Sequence, residues 1–192
     1  TKMNYNENKS RALMLQGKAV EKGIHFAMQY GDLVPFSTIH DYTAKYFDKH
    51  AKKLHKNIRE ARKRELYFLL KKGYSIISNI SGEYKNGVSN FEVKIGNHIY
   101  KGVSDFDFKR KKKKVCIELK VSTKSVNFPT KRHIKQAIKY AIANDSVTTI
   151  VYLTKNKDRN SYNVSSKVFE IWEKKPNTKF STKDTKLITC NM

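Results

Sequence analysis

Cysteine is nearly missing from this chain. Cys116 and Cys190 are the only two in 192 residues, too few and too scattered for a disulfide framework, a zinc site or an iron–sulfur cluster. Long apolar runs are missing too. Nothing approaches the roughly 18–20 residues that a membrane-spanning helix needs, and no apolar signal-peptide core is visible. With three prolines and eight glycines there is no Pro- or Gly-rich linker, and no segment repeats, so one domain is expected. The six histidines supply no i,i+4 pair with metal-ligand spacing, and no Ser-His-Asp constellation or phosphate-cradling glycine loop occurs. Acidic residues are scarce: 17 stand against 40 Lys and Arg, a net charge of +23. Self-repulsion on that scale opposes compactness and points to a polyanionic partner, nucleic acid ahead of an anionic membrane surface. An AT-rich coding sequence would account for part of the lysine excess. A reducing, intracellular setting is expected.

What is present suffices for a packed globule, with 39% hydrophobic and 11% aromatic residues. Ser10 serves as the expected N-cap of a helix reaching about Gln29, with Leu13, Gly17, Val20, Ile24 and Met28 at helical spacing. A second long helix is expected from about Asp41 to Lys71, with the stripe Phe47, Ala51, Leu54, Ile58, Ala61 and Phe68, and with Gly73 ending it. The period then changes to two. YSIISNISGEY and FEVKIGNHIYKGVSDFDF read as strands with turns at Asn86-Gly87 and Gly96-Asn97. The run KRKKKK (109–114) reads as a solvated hairpin turn, and PTKRHIKQAIKYAIAND as a third helix with an apolar stripe of Ile134, Ala137, Ile138, Ala141 and Ile142. VTTIVYLTKN and SYNVSSKVFEIWEKK read as strands before a polar tail. The order α-α-β-β-β-α-β-β predicts an α/β or α+β fold, helical to about 72, sheet core over about 73–175, tail over about 176–192.

Within VCIELKVSTKS (115–125), a carboxylate and an amine, Glu118 and Lys120, stand two residues apart. Alternation sends Val115, Ile117, Leu119 and Val121 one way and Cys116, Glu118 and Lys120 the other, with Glu118 and Lys120 about 7 Å apart along the strand. In GVSDFDF, Asp105 and Asp107 share a face opposite Phe106 and Phe108. A hairpin across the lysine run would bring Asp105 or Asp107 near Glu118. Two carboxylates and a lysine on one face suit a hard divalent cation, the lysine orienting water or stabilising phosphate charge. An ordinary Glu–Lys pair on a solvated face gives the same pattern, so the strand alone leaves both readings open.

Asp105 followed by Glu118-Leu119-Lys120 resembles the signature of the PD-(D/E)xK nuclease superfamily, and GVSD (102–105) is similar to the G-x-x-D variant of its RecB-type members. Gln136 and Tyr140 in KQAIKY resemble the Q-x-x-x-Y helix motif of that branch, and Gly17 with Glu21 in LQGKAVEKG resembles the first-helix motif of lambda-type phage exonucleases. The residue before Asp105 is Ser104 where the superfamily often has Pro. The resemblance implies a mixed central sheet flanked by helices and a Mg²⁺- or Mn²⁺-dependent deoxyribonuclease, an exonuclease acting on DNA ends. A structure-specific or restriction-type endonuclease shares the Asp…ExK part. The implied metal ligands are Asp105, Glu118, the Leu119 carbonyl and Glu21, with Lys120 activating the nucleophile, Gln136 and Tyr140 orienting substrate, and Asp107 in reserve. No iron–sulfur cluster is implied, because the four cysteines of the cluster-bearing relatives are not there. The implied setting is the cytoplasm, that of a bacterial host were the chain phage-encoded, with a mitochondrial location open. A homo-oligomer or a recombination or replication partner fits the family as well.

Two features stand beside the resemblance. Glu21 falls on the apolar side of its helix, where an unpartnered carboxylate is costly, although a lysine at the rim would satisfy it. Lys131, Arg132 and His133 crowd the first turn of the third helix, where the macrodipole disfavours cations unless an anion binds. Arg132, Gln136 and Tyr140 recur at i, i+4, i+8 as a polar stripe, and Lys131 and Lys124 would extend a phosphate track. No aromatic–basic alternation suggests base readout, so sequence specificity is not indicated, and a non-catalytic nucleic-acid-binding protein acting through the +23 charge is the alternative from another class.

Overall fold

The computed structural model describes residues 4–80, 83–85, 90–95, 97–110, 113–155, 163–171 and 185–188, with the backbone alone at 80, 95, 110, 113 and 185–188. Three helices come first: α1 (Tyr5–Tyr30), α2 (Phe36–His50) and α3 (Lys56–Ile80). The strands β1 (Glu83–Tyr84), β2 (Asn90–Ile95), β3 (His98–Val103), β4 (Phe106–Arg110) and β5 (Lys113–Ser122) follow, then α4 (Lys131–Asn144). The strands β6 (Ser146–Lys155), β7 (Val164–Ile171) and β8 (Thr185–Ile188) end the order. One sheet runs β1-β4-β5-β6-β7-β8, and β2 and β3 form a separate antiparallel pair. In the large sheet β1 pairs antiparallel with β4, β4 with β5, and β7 with β8. Neighbours β5 and β6 are joined through α4, the crossover that parallel neighbours require. The fold is α+β with a mixed sheet and four helices, the class the element order predicted.

The chain forms two compact units: Thr1–Ile77 with Val121–Ser125 and Leu153–Ser165, and Ser78–Lys120 with Val126–Tyr152 and Ser166–Met192. In the first unit, α1 begins six residues earlier than a cap at Ser10 would allow. Asn4 is the cap: its Oδ1 accepts the Glu7 N–H at 2.9 Å, and Glu7 Oε2 accepts the Asn4 N–H at 3.1 Å, a reciprocal capping box. The single helix expected over 41–71 is two, broken where Ala51 and Leu54 turn inward and become buried. Nor does Gly73 end α3. A Cβ there would stand 2.8 Å from Ile24 Cδ1 and 3.0 Å from Leu153 Cδ1, so this glycine lets other side chains close onto the helix. YSIISNI, expected as a strand, is the last turns of α3, because Ile76 and Ile77 continue the buried series Leu66, Leu69 and Leu70. Burial of that face outweighs the weak strand preference of β-branched residues.

Gly23 marks the tightest approach. Its hypothetical Cβ would stand 2.1 Å from Thr43 Oγ1 and 2.8 Å from Leu70 Cδ1. Gly17 is different: a Cβ there would make ordinary contact, 3.7 Å from Val121 Cγ2. A polar knot sits in the same unit. Glu65, 7% exposed, accepts from Gln16 Nε2 at 2.9 Å and Arg62 Nη1 at 3.1 Å and pairs with Lys155.

In the second unit, α4 packs Ile134 and Ala137 against Ile150 and Tyr152 of β6 and Phe169 and Ile171 of β7. Thr130 caps α4, its Oγ1 accepting the His133 N–H at 3.3 Å, and Asp145 closes it in the left-handed region at φ 45°. The β2–β3 hairpin forms as expected, Ile95 opposite His98. The Asn86-Gly87 turn, Gly96 and residues 111–112 of the lysine run lie outside the described residues. The strands flanking that run pair as the predicted hairpin, Phe106 opposite Ile117 and Asp107 opposite Cys116. The polar tail contributes β8, which the sequence reading did not anticipate.

Candidate functional site

Strand β5 is buried on both faces. Val115, Ile117 and Leu119 are 3%, 0% and 8% exposed, and on the opposite parity Cys116 and Glu118 are 0% and 2% exposed. Glu118 therefore lies on no solvated face: it is covered, and α4 does the covering. Gln136 Nε2 donates to Glu118 Oε1 at 2.8 Å, and Lys120 Nζ bonds the same oxygen. Lys120 Nζ also reaches Gln136 Oε1 at 3.3 Å. Gln136 Nε2 lies 2.7 Å from Tyr140 Oη, which donates to the Val103 carbonyl at 2.9 Å. A buried carboxylate is tolerable on these terms, paired with one cation and hydrogen-bonded to an amide.

Asp105 sits in the bend between β3 and β4, half-buried, and its Oδ2 accepts the Leu119 N–H at 2.8 Å. The structure thus gathers Asp105, Glu118, Leu119, Lys120, Gln136 and Tyr140 into one connected arrangement. Asp107 is held elsewhere, its Oδ1 accepting from Ser104 Oγ at 2.7 Å and its Oδ2 standing 3.5 Å from Lys114 Nζ. Glu21 belongs to the first unit. It is 5% exposed and takes Lys18 Nζ on both oxygens at 2.8 Å, the rim-lysine pairing weighed for it above. Lys124, also in the first unit, is exposed, its N–H donating to Ser122 Oγ at 3.1 Å.

Burial, with the Glu118 charge behind it, pushes the Tyr140 hydroxyl well above the ordinary phenol range, so it stays a donor at any working pH. Burial and then the charges of Lys120 and Arg132 hold His133 below the usual imidazole value. Its Nδ1 lies 2.5 Å from Tyr152 Oη. Burial raises the Cys116 thiol to about 12, which leaves it inert as a nucleophile.

Beside this arrangement a cleft of about 540 Å³ opens between the β2–β3 hairpin and α4. Lys131, Arg132, Lys135, Lys139 and Lys101 line it, together with Gln136 and Tyr140. The predicted stripe of Arg132, Gln136 and Tyr140 faces this cleft, and a second stripe, Lys131, Lys135 and Lys139, runs beside it at the same spacing. That second stripe was legible at i, i+4, i+8 and was missed. The hairpin residues Phe91, Tyr100 and Gly102 that complete the lining carried no local signal.

The donor chemistry fits a hard divalent ion: two carboxylates and the Leu119 carbonyl are oxygen ligands of the kind Mg²⁺ and Mn²⁺ take. Among the described residues, no group of three or more His, Cys, Asp or Glu side chains is arranged to hold a metal. No helix among them is long and apolar enough to cross a membrane. No family model matches the chain, and no curated protein does. Among solved structures, the chain is similar to one titled "Crystal structure of SSO0001", at 15% identity and a TM-score of 0.36, covering 89% of this chain and 78% of that one. A likeness that loose carries no argument about fold or function.

Proposed function

We propose that the chain is a Mg²⁺- or Mn²⁺-dependent nuclease of the PD-(D/E)xK kind, hydrolysing phosphodiester bonds of DNA as an exonuclease at strand ends. The observation that carries this reading is the bond from the Leu119 N–H to Asp105, which joins Asp105 to the strand segment bearing Glu118 and Lys120. Asp105, Glu118 and the Leu119 carbonyl would hold the ion. When bound, it would supply Lewis-acid stabilisation of the scissile phosphate. Lys120, tethered to Glu118 and Gln136, would position the attacking water and offset charge developing on the phosphate oxygens. Gln136 and Tyr140 fix Lys120 and Glu118 in place and present the α4 edge to substrate. The net charge of +23 supports a polyanionic substrate.

A second reading has its own observation. Glu118 is 2% exposed and already engaged by Lys120 and Gln136, as a purely structural pair would be in a basic, non-catalytic nucleic-acid-binding protein.

Cleavage assays on linear and covalently closed circular DNA with Mn²⁺, using wild type, Glu118→Gln and Lys120→Met, separate the readings. Loss of linear-DNA cleavage in both variants, with closed circles untouched, supports the exonuclease. Nicking of closed circles points to an endonuclease. Wild type without any metal-dependent cleavage, or variants as active as wild type, ends the enzyme reading. A calorimetric Mn²⁺ titration of wild type against Glu118→Gln reports the ion directly.

A further inference from the structure

The cleft between the β2–β3 hairpin and α4 combines two surfaces that seldom meet by accident. Its floor is aromatic and tightly fitted. Phe91 and Tyr140 meet edge to face with centroids 4.7 Å apart. Gly102 lies so close above them that a Cβ would stand 2.5 Å from Phe91 Cζ and 3.3 Å from Tyr140 Cε1. A side chain here would collide with the Phe91 ring across the hairpin, so glycine leaves that ring room to lie over the strand pair and against Tyr140. Tyr100, half-buried in the wall, has Lys139 Nζ 3.6 Å over its ring centroid, a cation–π contact that holds the ring in place.

The rim is cationic. Lys131, Arg132 and Lys135 are exposed on the first turns of α4, and none has an ion-pair partner among the described residues. Lys101 is different, because Glu92 across the hairpin neutralises it at 2.8 Å. The first turn of α4 carries no acid, so its N-terminal dipole and three cations repel one another until an anion arrives.

Ligand chemistry follows from the combination. A free phosphate would use the rim and leave the aromatic wall idle, and an anionic lipid surface has no planar rings to stack. A duplex presents phosphates but keeps its base faces inside the stack, and a cleft of about 540 Å³ lies in the size range of sites for small ligands, about 300–1,000 Å³. An unpaired strand satisfies both surfaces, with repeating phosphates for the rim and exposed base faces for the ring. We infer that this cleft is a single-stranded nucleic-acid site in which a base stacks at Tyr100 while flanking phosphates lie on Lys131, Arg132 and Lys135. Recognition of this kind tolerates any base, because every base has a π-face. Binding at the site needs no metal, and the cleft adjoins the residues of the proposed cleavage chemistry through Gln136 and Tyr140, which line it.

The test is fluorescence anisotropy of a labelled twelve-nucleotide oligo-dT and of a blunt duplex of equal length, in EDTA, with the full chain. The single strand binds more tightly than the duplex. Tyr100→Ala weakens single-strand binding by roughly tenfold, the loss of one stacked base, whereas Tyr100→Phe, which keeps the ring, binds as wild type does. Arg132→Ala and Lys135→Ala each lower the slope of log affinity against log salt by about 0.7, one phosphate contact apiece. Equal duplex binding, no loss in Tyr100→Ala, or competition by inorganic polyphosphate or anionic vesicles as effective as by unlabelled oligo-dT would each overturn the inference. Set beside the Mn²⁺ cleavage assays above, binding in EDTA with no cleavage in Mn²⁺ leaves the site standing and removes the nuclease. Cleavage with Tyr100→Ala binding as wild type does the reverse.

Discussion

The Asp105 carboxylate accepts the backbone N–H of Leu119 at 2.8 Å, so the bend that follows β3 is pinned between Glu118 and Lys120 of β5. This bond separates the structural role of Asp105 from its proposed chemical one. Asp105→Asn keeps an acceptor for Leu119 and is expected to unfold in urea within about 1 kcal/mol of wild type, yet to cleave DNA at least roughly a hundredfold more slowly through loss of an anionic ligand. Asp105→Ala leaves the N–H unpaired and is expected to lose about 1–3 kcal/mol as well. Equal activity in Asp105→Asn and wild type would remove Asp105 from the metal site.

Tyr140 holds its two partners through one oxygen, donating to Val103 and receiving from Gln136. Tyr140→Phe should cost about 1–2 kcal/mol in chemical denaturation, most of it the stranded Val103 carbonyl. Because the folded-state pKa is raised, the stability this group contributes is present below the ordinary phenol value of about 10 and is lost only as pH rises through the higher folded value. The difference between Tyr140→Phe and wild type should therefore be flat from pH 6 to 8. A difference that changes across that window would contradict this account.

Burial alone would raise the Glu65 carboxyl. The hydrogen bonds from Gln16 and Lys155 and the charges of Arg62 and Lys155 outweigh it and hold the group below its ordinary range. Its stabilising effect is present above the ordinary value of 4.5 and disappears as pH falls through the lowered folded value. Glu65→Gln is expected to be less stable than wild type by about 1–3 kcal/mol at pH 7, and the two melting temperatures should converge as pH drops well below 4.5. Parallel curves down to pH 2 would exclude this assignment.

Gly23 tests packing without charge. Alanine is the better helix former by about 1 kcal/mol, but its methyl would overlap Thr43 Oγ1 and Leu70 Cδ1, and overpacking costs about 1–3 kcal/mol. Gly23→Ala should be net destabilised, and adding Thr43→Ala should recover part of the loss. Gly17→Ala, with ordinary contact only, should be neutral or stabilised. The reverse order of the two glycine variants would refute the packing geometry.

Parity and register made much of the site legible. Counting by twos along 115–121 placed Glu118 and Lys120 together, and the hairpin across the lysine run set Phe106 opposite Ile117, which carries Asp105 to Leu119. Counting by fours aligned Arg132, Gln136 and Tyr140 along α4. Covering of Glu118 was not legible, because it depends on Gln136 reaching across from a helix eighteen positions along the chain. The cleft wall was hidden for the same reason: Phe91, Tyr100 and Gly102 meet α4 only when the β2–β3 pair folds down on Tyr140.

The helical half shows the limit from the other side. Local chemistry could have given the start of α1 at Asn4, since the capping box lies within four residues. It could not give the length of α3, because Gly73 and YSIISNI read locally as a stop and a strand. Burial of Ile76 and Ile77, and the closeness of Ile24 and Leu153 to Gly73, reversed that preference. The sequence by itself determined what acts over a few residues: the periodicity of each strand, the hairpin at the lysine run, the two stripes of α4 and the excess of positive charge. Only the tertiary structure decided which charges are buried, which glycine is indispensable and where α3 ends. Those outcomes follow from contacts between distant segments, whose burial energies exceed the fraction of a kcal/mol per residue by which local propensities differ.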